Sequence, residues 1–578
     1  MDHLKPTSAN SPPLTPLTFL DRAATVYGDS TSIIYNHTTY TWSQTHKRCL
    51  QLASSLAGIG IRRNDVVSVL AFNIPAMYEL QFAVPMAGAV LNNLNTRLDA
   101  RTISVMLRHS ESKLLFVDSH LQALAHDAVS RFPPEITPPV VVLIKDYNCL
   151  LNDDVGIVTT SYEDLVKKGN KNNSLSNDDV GFEIVTTSYE NLVKKGDANF
   201  RWVRPVNEWD PITLNYTSGT TSSPKGVVHS HRAIFILALD SLIDWSVPKK
   251  PVFLWTLPMF HSNGWGFTWG MAAVGGTNIC LHKFTAGDVF TAVNRHHVTH
   301  MCGAPVVLNM IANSPNAKPL HNPVHFLTGG APPPAAVVLR TESLGFIVSH
   351  GYGMTEVAGV VVSCAWKEEW NRLPVTEKAS LKARQGVRTL GLTEVNVLDT
   401  ESGLGVKRDG LTQGEIVLKG ACLMLGYLKD PRATAMCMRE DGWLYTGDVG
   451  VIHPDGYLEI KDRLKDVIIT GGENVSSVEV ESVLYCNPAV NEAAVVARPD
   501  KFWGETPCVF VSLMDGKDGG GSSDEILKFC RERLPHYMVP KTVVFMAELP
   551  KTATGKIMKS TLREMAKNMP PSMGNSRM

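Results

Sequence analysis

Apolar residues recur along the chain in short runs that alternate with longer segments of helical spacing. Val66–Leu70, Leu114–Val117 and Val140–Ile144 are apolar and largely β-branched, which predicts strands that are buried on both faces. Two segments between the first two runs, 74–90 and 99–109, carry the apolar spacing of helices. This alternation predicts βαβ units and largely parallel sheets.

The pattern changes near residue 462, where a charged segment, 461–466, separates two apolar runs. Such a segment is typical of a hairpin turn or of a hinge between domains. The residues after it have the size of one small domain. Helices are predicted at 476–485 and 524–533, and strands at 493–497 and 508–513. We therefore predict an α/β protein with a large N-terminal domain of packed sheets, 1–462, and a small α+β C-terminal domain, 463–578.

A duplication interrupts the N-terminal domain. Residues 152–169 and 177–196 are near-copies, joined by the Asn-, Lys- and Ser-rich stretch 170–176. Two copies are too few for a repeat fold. We interpret 152–196 as a duplicated surface connection without a role in function. The length of 578 residues fits two or three domains.

Composition narrows the class of protein. A net charge of −1 gives no electrostatic reason to expect nucleic acid or an anionic membrane as a partner. Ten cysteines stand singly, which favours reduced thiols over disulfides or a thiolate zinc site. The segment 251–281 lacks charged residues, but its prolines, asparagines and His261 favour buried strands and a pocket wall over a membrane span.

Both ends of the chain bear on localisation. The N-terminal residues are polar and lack the apolar core of a signal sequence. The last residues, Ser576-Arg577-Met578, are similar to the C-terminal peroxisomal address of the Ser-Lys-Leu type. We expect a peroxisomal protein that meets the import receptor through this tripeptide, with a cytoplasmic protein as the alternative.

The segment 216–226 combines hydroxyls, glycines and one lysine after an apolar run. Successive backbone N–H groups and hydroxyls form an anion cradle, and glycine allows a close approach to a phosphate. Lys225 adds a mobile positive charge. The order Pro-Lys-Gly does not fit the P-loop, in which Gly-Lys precedes Ser or Thr. A plain surface loop is the alternative.

A second motif, 350–356, follows an apolar strand-like run. Tyr352 between glycines can present its ring to a flat heterocycle. Thr355 offers a hydroxyl to a phosphate, and Glu356 offers Mg²⁺ the kind of carboxylate that it prefers. A strand and turn with a structural tyrosine explains the motif equally well.

Taken together, the motifs resemble the adenylate-forming superfamily of acyl-CoA synthetases, luciferases and peptide-synthetase adenylation domains. The resemblance covers almost the whole chain except the duplication, with the motifs in order at 216–226, 328–332, 350–356, 445–448, 462–465 and 550–556. Three further segments, 95–97, 255–261 and 471–474, are similar to plant peroxisomal acyl-activating enzymes of the benzoate- and cinnamate-CoA ligase group.

The resemblance implies an AMP-forming acid–thiol ligase that uses ATP, Mg²⁺ and CoA. The acid attacks the α-phosphate to give acyl-AMP and pyrophosphate, and the CoA thiol then attacks the acyl group. Thr355, His261 and Lys556 are implied as catalytic, and Glu356 as the ligand of Mg²⁺. The implied ATP contacts are Thr217, Ser218, Gly219, Thr220, Thr221, Lys225, Gly330, Ala331, Pro332, Gly351, Tyr352, Thr355, Asp448, Arg463 and Lys556.

The same resemblance implies that the C-terminal domain is mobile. Lys465 is then the hinge about which it rotates between the two half-reactions. The loop of Gly471, Gly472 and Glu473 replaces Lys556 at the acyl adenylate, where glycines allow the pantetheine arm a close approach. The acid is expected to be aromatic, cinnamate or benzoate, with short or branched aliphatic acids as the alternative.

Other interpretations stay open at this point. His261 can be a core histidine instead of a gate at the acyl pocket. Three histidines, His296, His297 and His300, could supply metal ligands at helical spacing. A zinc site is disfavoured here, because no cysteine or carboxylate is added to them. An adenylation protein that loads a carrier is less favoured, because the loose carrier match at 520–522 lies in a hydrophilic loop with no helical carrier module after it. A binding protein without catalysis is less favoured, because the lysines and carboxylates of the motifs are intact.

Overall fold

The computed structural model describes residues 4–145, 187–217, 224–315, 317–471, 473–500, 502–514, 522–552 and 555–569. The first copy of the duplication and the first half of the second lie outside these ranges. The strands are β1 (Thr31–Tyr35), β2 (Thr38–Thr41), β3 (Val66–Leu70), β4 (Val90–Asn93), β5 (Leu114–Asp118), β6 (Val140–Ile144), β7 (Thr187–Ser188), β8 (Pro211–Thr217), β9 (Lys225–Ser230), β10 (Val252–Trp255), β11 (Thr277–Cys280), β12 (His300–Gly303), β13 (Val324–Gly329), β14 (Phe346–Met354), β15 (Gly359–Ser363), β16 (Val387–Arg388), β17 (Leu392–Leu398), β18 (Gly414–Gly420), β19 (Gly426–Tyr427), β20 (Leu444–Ile452), β21 (Leu458–Arg463), β22 (Ile468–Thr470), β23 (Glu473–Val475), β24 (Val490–Asp500), β25 (Gly504–Leu513) and β26 (Thr542–Phe545).

The helices of the described residues are α1 (Thr18–Val26), α2 (Trp42–Gly58), α3 (Pro75–Met86), α4 (Ala100–His109), α5 (Gln122–Ser130), α6 (Tyr189–Lys195), α7 (His231–Asp244), α8 (Ser262–Trp265), α9 (Phe267–Val274), α10 (Ala286–His296), α11 (Pro305–Ala312), α12 (Ala335–Ser343), α13 (Val375–Ala383), α14 (Pro431–Cys437), α15 (Ser477–Leu484), α16 (Ser523–Arg531) and α17 (Lys559–Lys567). Short 3₁₀ turns lie at Ser119–Leu121, Thr355–Val357, Glu368–Arg372 and His536–Met538.

Two large sheets form the N-terminal domain. One has nine strands in the order β16-β15-β14-β13-β12-β10-β11-β1-β2, and the other has eight in the order β19-β9-β8-β4-β3-β5-β6-β7. The strands from β14 to β1 in the first sheet, and from β8 to β7 in the second, pair in parallel. The prediction of parallel sheets with helical crossovers is therefore confirmed.

Local sequence explains where the predicted helices begin. Asp99 lies just before α4, and its side chain accepts the Thr102 backbone N–H at 2.8 Å, which satisfies one free donor of the first turn. Helix α3 begins at Pro75, a residue suited to the first helical position, and is buried along its whole length. Each helix is a few residues shorter than its predicted range.

The uncharged segment 251–281 is only partly made of the buried strands that its composition predicts. Strands β10 and β11 lie at its ends, but α8 and α9 occupy its centre. This centre was missed for two reasons. Helix α9 is apolar on nearly every side, so a period of 3.6 leaves no trace in the sequence, and α8 consists of residues with positive φ that no helical spacing predicts. Among the described residues, no helix is both long and apolar enough to cross a bilayer.

A third sheet and a separate small domain follow. Strands β17, β18, β20 and β21 form an antiparallel sheet. In the C-terminal domain, the order is β23-β22-β25-β24, and β26 pairs with β25. Helices α15 and α16 cover one face of this sheet and α17 the other. The helices and strands predicted after residue 476 are confirmed.

The charged segment 461–466 joins β21 of the third sheet to β22 of the C-terminal sheet. The two strands are not paired with each other, so the hairpin alternative is wrong. The segment is a connection between sheets, as a hinge requires, although the boundary at residue 462 stays a prediction.

The predicted helical spacing of the three histidines is also wrong. His296 ends α10, His297 takes the left-handed conformation with φ 52° as the helix stops, and His300 lies on β12. The His300 ring stacks on that of His325 with centroids 4.9 Å apart. This group is a helix end and a ring pair, which explains the histidines without a metal.

Candidate active site

An aromatic ring of β14, a carboxylate in the middle of β20 and the guanidinium of the last residue of β21 meet in one place. The Tyr352 hydroxyl donates to Asp448 Oδ2 at 2.7 Å, and both residues are buried. Arg463 lies opposite Asp448 in the register of β20 and β21, with its Nε 3.4 Å from Asp448 Oδ1. Antiparallel pairing thus brings together two residues of separate sequence motifs.

The carboxylate of Glu356 lies next to this group, just after β14. The Tyr427 hydroxyl donates to its Oε1 at 2.7 Å, and the ammonium of Lys225 stands over the Tyr427 ring, 4.8 Å from the centroid. Tyr427 reaches this position because β19 pairs with β9, two residues after Lys225. Its ring therefore connects the lysine of one motif to the carboxylate of another.

Lys556 of the C-terminal domain enters the site from the opposite side. Its neighbour in the N-terminal domain is Gly330, which has φ +87°; a Cβ there would lie 2.8 Å from Lys556 Cε. This position requires glycine for two reasons: the backbone has a positive φ, and a Cβ would collide with the lysine side chain.

Burial and neighbouring charges shift the pKa values of the ionisable groups in the site. Burial raises the pKa of Glu356 and that of Asp448 above their ordinary values, while Arg463 opposes both shifts. Burial and the charge of Arg463 lower the pKa of Lys556 to about 8, although Asp448 and Glu356 favour its charged form. The two carboxylates and the two cations therefore act on one another as a single group of charges.

The charge of Lys556 also affects the pKa of His261. Burial, with a smaller contribution from Lys556, lowers the pKa of His261 to about 3, so the imidazole is neutral at physiological pH. A turn with positive φ at every residue from Ser262 to Gly266 follows it directly. His261 thus lies within electrostatic range of Lys556, and its part in the reaction stays a prediction.

The aromatic residues near His261 divide into two sets. Trp255, Phe267 and Trp269 are fully buried core residues, and both indole N–H groups donate to protein oxygens. Trp265 instead reaches the site, since a Cβ on Gly329 would lie 3.2 Å from its ring. Of these aromatic residues, Trp265 is therefore the one with a contact next to the site.

The segment 216–226 is the tip of a hairpin. Thr217 on β8 pairs with Lys225 on β9. Ser218, Gly219, Thr220 and Thr221 lie outside the described residues. At the described end of the motif, Lys225 stands over the Tyr427 ring, whose hydroxyl donates to the buried Glu356. The described part of the motif therefore lies beside a buried carboxylate, which a plain surface loop does not explain.

The glycines of the 350–356 motif have a structural reason. A Cβ on Gly351 would meet the Val360 side chain, and one on Gly353 would meet the backbone carbonyl of Gly359. Close pairing of β14 with β15 thus requires these glycines. The strand-and-turn alternative is right for them, while Tyr352, Thr355 and Glu356 point to chemistry.

The other residues expected in the site lie in the loop after β13 and at the C-terminal sheet. Ala331 and Pro332 follow Gly330 in the partly exposed loop after β13. Gly471 has φ +59°, and its N–H donates to the Trp503 carbonyl at 2.9 Å, on the C-terminal sheet. Glu473 is exposed on β23, and Gly472 lies outside the described residues. The structure therefore brings Lys556 to the site and leaves Gly471 on the C-terminal sheet.

Lys465 lies two residues after Arg463 in the connection between the sheets. Burial, Arg463 and Arg563 lower its pKa to about 8, and Asp448 opposes that shift. The hinge candidate is thus electrostatically coupled to the carboxylate of the site.

Sequence reasoning missed Tyr427, because a Gly-Tyr dipeptide after an apolar run carries no sign of its pairing with β9. It also missed a second cluster, Asp118, His120 and His282, whose nitrogen and oxygen atoms lie within 4.8 Å of one another. Asp118 already accepts the His120 backbone N–H at 3.1 Å, and its second oxygen is 3.5 Å from His282 Nε2. Carboxylate–histidine pairing accounts for this cluster, which joins β5 to the chain after β11.

With this geometry established, comparisons with known proteins define the class. The AMP-binding enzyme family matches residues 20–428, and the AMP-binding enzyme C-terminal domain matches 479–556. The 2-methylpropanoate--CoA ligase CCL4 of Humulus lupulus is 61% identical, and the match covers 98% of this chain and 98% of that protein. Probable acyl-activating enzyme 5, peroxisomal, of Arabidopsis thaliana is 60% identical over 98% of this chain and 99% of its own.

A solved structure is similar over the same length. The o-succinylbenzoate CoA synthetase (MenE) from Bacillus subtilis, in complex with the acyl-adenylate intermediate OSB-AMP, is 26% identical, with a TM-score of 0.74, and the match covers 96% of this chain and 98% of that one. The chain belongs to the AMP-binding enzyme family. Within it, the chain is an acyl-CoA synthetase of the acyl-activating group, which forms CoA thioesters through an acyl adenylate.

Proposed function

We propose that the chain is an ATP-dependent carboxylate–CoA ligase whose adenylation step depends on Lys556. The observation that carries this proposal is the position of Lys556. A lysine of the C-terminal domain lies against Gly330 and in the field of Asp448 and Glu356, three residues of the N-terminal domain. A site that gathers cations from two domains suits a reaction between two anions.

Nucleotide binding follows from the groups on the N-terminal side. Asp448 can accept hydrogen bonds from both ribose hydroxyls, because an ionised carboxylate only accepts. Arg463 neutralises part of its charge. Thr217, Lys225 and the loop between them take the β- and γ-phosphates, Thr355 the α-phosphate, and Gly330, Ala331, Pro332, Gly351 and Tyr352 surround the adenine.

Mg²⁺ fits the donor set at Glu356. One carboxylate oxygen, Oε1, accepts from Tyr427, which leaves Oε2 for a cation. Mg²⁺ is commonly held by one or two carboxylates together with phosphate oxygens and water. When bound, the ion would neutralise phosphate charge; Lys225, above the Tyr427 ring, adds a second positive charge there.

In the first half-reaction a carboxylate oxygen forms a bond to the α-phosphorus of ATP, and the bond to the bridging oxygen of pyrophosphate breaks. Lys556 stands between the two anions and offsets their repulsion as charge develops. In the second half-reaction the CoA sulfur attacks the acyl carbon, and AMP leaves. The Gly471–Glu473 loop replaces Lys556 for this step, and neutral His261 controls the approach of the thiol.

For the acid, we favour a short branched aliphatic acid. The relative that is 61% identical is a 2-methylpropanoate--CoA ligase, and Trp265 takes up room beside Gly329. An aromatic acid, cinnamate or benzoate, is the second candidate, because the same indole could stack on a ring. The fully buried Trp255, Phe267 and Trp269 no longer support that candidate.

A peroxisomal location agrees with two observations. The chain ends in Ser576-Arg577-Met578, outside the described residues, and the Arabidopsis relative is named peroxisomal. We propose that the import receptor binds this tripeptide; deletion of the three residues should leave a fluorescent fusion in the cytosol, and unchanged peroxisomal fluorescence would contradict the proposal.

The activity is tested with purified protein, ATP, Mg²⁺ and CoA, and a panel of 2-methylpropanoic, 3-methylbutanoic, butyric, hexanoic, benzoic and cinnamic acids. We expect AMP and pyrophosphate in equal amounts and one thioester per ATP, with the branched acids turned over fastest. ADP in place of AMP would contradict the proposed chemistry. Higher kcat/KM for cinnamate or benzoate would overturn only the order of the acids.

A further inference from the structure

A cluster of four buried amide side chains lies beneath His261. Asn263 Nδ2 donates to Gln81 Oε1 at 2.8 Å, and Asn215 Nδ2 donates to Asn263 Oδ1 at 2.6 Å. Gln81 Oε1 also accepts from Asn93 Nδ2 at 3.2 Å. All four residues are at most 4% exposed. Helix α3, strands β4 and β8, and α8 thus meet in one chain of hydrogen bonds.

The segment that this amide cluster holds is an unusual one. Ser262, Asn263, Gly264, Trp265 and Gly266 have φ values of 42°, 44°, 59°, 54° and 81°. L-residues other than glycine rarely adopt this conformation, and a bulky one such as tryptophan is a clear exception. Such a turn persists only where its surroundings fix it.

Both ends of the left-handed turn reach the proposed active site. His261 precedes it and lies in the field of Lys556, while the Trp265 ring reaches Gly329, next to Gly330. The interior residue, Asn263, carries the amide on which the hydrogen bonds converge. The amide cluster therefore contacts the middle of the turn and none of the reacting groups.

In the part of the chain that the structure describes, the amide cluster leaves two of its own acceptor oxygens without a protein partner. Among the described residues, Oδ1 of Asn93 and Oδ1 of Asn215 are buried without hydrogen-bond partners. A partly satisfied buried network is less stable than an apolar core of the same shape. Residues that break this rule commonly serve a functional site.

We infer that Gln81, Asn93, Asn215 and Asn263 are positioning residues, which hold the left-handed turn so that His261 and Trp265 face the acid. Asn215 also links the turn to the phosphate loop, because it lies on β8 two residues before Thr217. This inference rests on the proposed function, since it assigns the turn to the acid side of that reaction.

The test compares variants of two cluster residues, Gln81 and Asn93, with a control at Asn92, the neighbour of Asn93 on β4. Gln81→Met keeps the side-chain volume but leaves two buried amide donors unpaired, and Asn93→Ser removes one donor more gently. Asn92→Ser is the matched control: Asn92 is buried on the same strand, but its amide donates to Ser68 at 2.8 Å, away from the cluster. With 2-methylpropanoate as the acid, each variant is assayed for the KM of the acid, the KM of ATP and the thermal midpoint.

We expect Gln81→Met to raise the KM of the acid at least about 10-fold and Asn93→Ser at least about 3-fold, with the KM of ATP unchanged to within about 2-fold. Asn92→Ser should leave both constants within about 2-fold even where it lowers the thermal midpoint equally. Equal changes in both KM values, or the same loss in Asn92→Ser, would overturn the inference.

A readout without turnover separates this inference from the proposed function. Hydrogen exchange of the peptide 259–268 should become faster in Gln81→Met and Asn93→Ser but not in Asn92→Ser. If the wild type makes no thioester, the proposed function fails, and the exchange result still decides whether the amides fix the turn. Unchanged exchange in both cluster variants would overturn the inference.

Discussion

Lys556 is chemically distinct from a surface lysine because burial and Arg463 oppose its charge while two carboxylates favour it. ATP and the acid bring further negative charge, which strengthens the charged form during the first half-reaction. The lysine is thus suited to a step in which one anion attacks another.

The substitution Lys556→Ala should slow acyl-AMP formation at least about 100-fold, or ~2.7 kcal/mol of barrier. Thioester formation from supplied acyl-AMP and CoA should stay within about 3-fold, because the proposed rotation would carry the lysine out of the site before that step. Pyrophosphate release and thioester yield measure the two steps. An equal loss in both steps would contradict this role.

The pKa of Lys556 also predicts a pH dependence. A pKa lowered to about 8 means that the ammonium is charged below that pH and loses its charge above it. We expect kcat/KM of adenylation for ATP to fall as the pH rises through about 8. Arginine remains charged throughout this range, so Lys556→Arg should be slower but should lack this fall. The same fall in the variant would assign the titration to another group.

Among elements, the loop after β13 shows how a glycine admits a side chain from another domain. Gly330 has φ +87° and lies against Lys556 Cε. Gly330→Ala should therefore fold with reduced stability and should displace the lysine, with adenylation reduced at least about 10-fold.

A double-mutant cycle tests whether Gly330→Ala reduces adenylation by displacing Lys556. In a Lys556→Ala background, Gly330→Ala should reduce adenylation by less than about 3-fold, because the displaced group is already absent. The matched control is Gly447→Ala, since Gly447 also has positive φ but a Cβ there meets nothing within 4 Å. Additive losses in the cycle would show that Gly330 acts independently of Lys556.

Helices and strands are predicted well where the apolar residues of a segment keep the spacing of one or the other. Strands β3, β5 and β6 and helices α3 and α4 follow from apolar runs and spacing alone. Helix α9 could not be predicted, because a segment apolar on nearly every side gives the same pattern as a buried strand. The left-handed turn inside that segment depends on amides from three other elements, which no local pattern records.

The candidate site was predictable to the extent that its residues belong to short motifs. Tyr352, Asp448 and Arg463 lie in contact, and Lys556 lies in the field of Asp448, while their roles in ATP binding and catalysis stay a prediction. Tyr427 depends on the pairing of β19 with β9, a contact about 200 residues apart in sequence. Long-range pairing of this kind is fixed by the whole fold.

At the scale of the whole molecule, polar contacts hold the two domains in the arrangement that brings Lys556 to the site. Asn309 of α11 and Asn313, the residue just after this helix, donate to Asn491 of the C-terminal domain, at 3.0 Å and 3.2 Å. Asp462 accepts from the N–H and hydroxyl of Ser477 at 2.7 Å and 2.6 Å. An interface of hydrogen bonds separates more readily than a large apolar one.

A rotation about Lys465 would break the contacts of Asn491 and strain those of Asp462, and it requires free backbone torsion between the sheets. Lys465→Pro fixes φ near −65° and restricts Leu464 as well. Because the adenylating arrangement already exists, the first half-reaction should stay within about 5-fold of wild type. Thioester formation from supplied acyl-AMP should fall at least about 50-fold.

Lys465→Ala is the control for this rotation, since it removes the charge coupled to Asp448 but leaves the torsion free. Both half-reactions of that variant should stay within about 5-fold of wild type. Burst experiments with and without CoA separate the steps. If Lys465→Pro makes thioester at the wild-type rate, the domains need no rotation at this residue, and the Gly471–Glu473 loop must reach the acyl adenylate in another way.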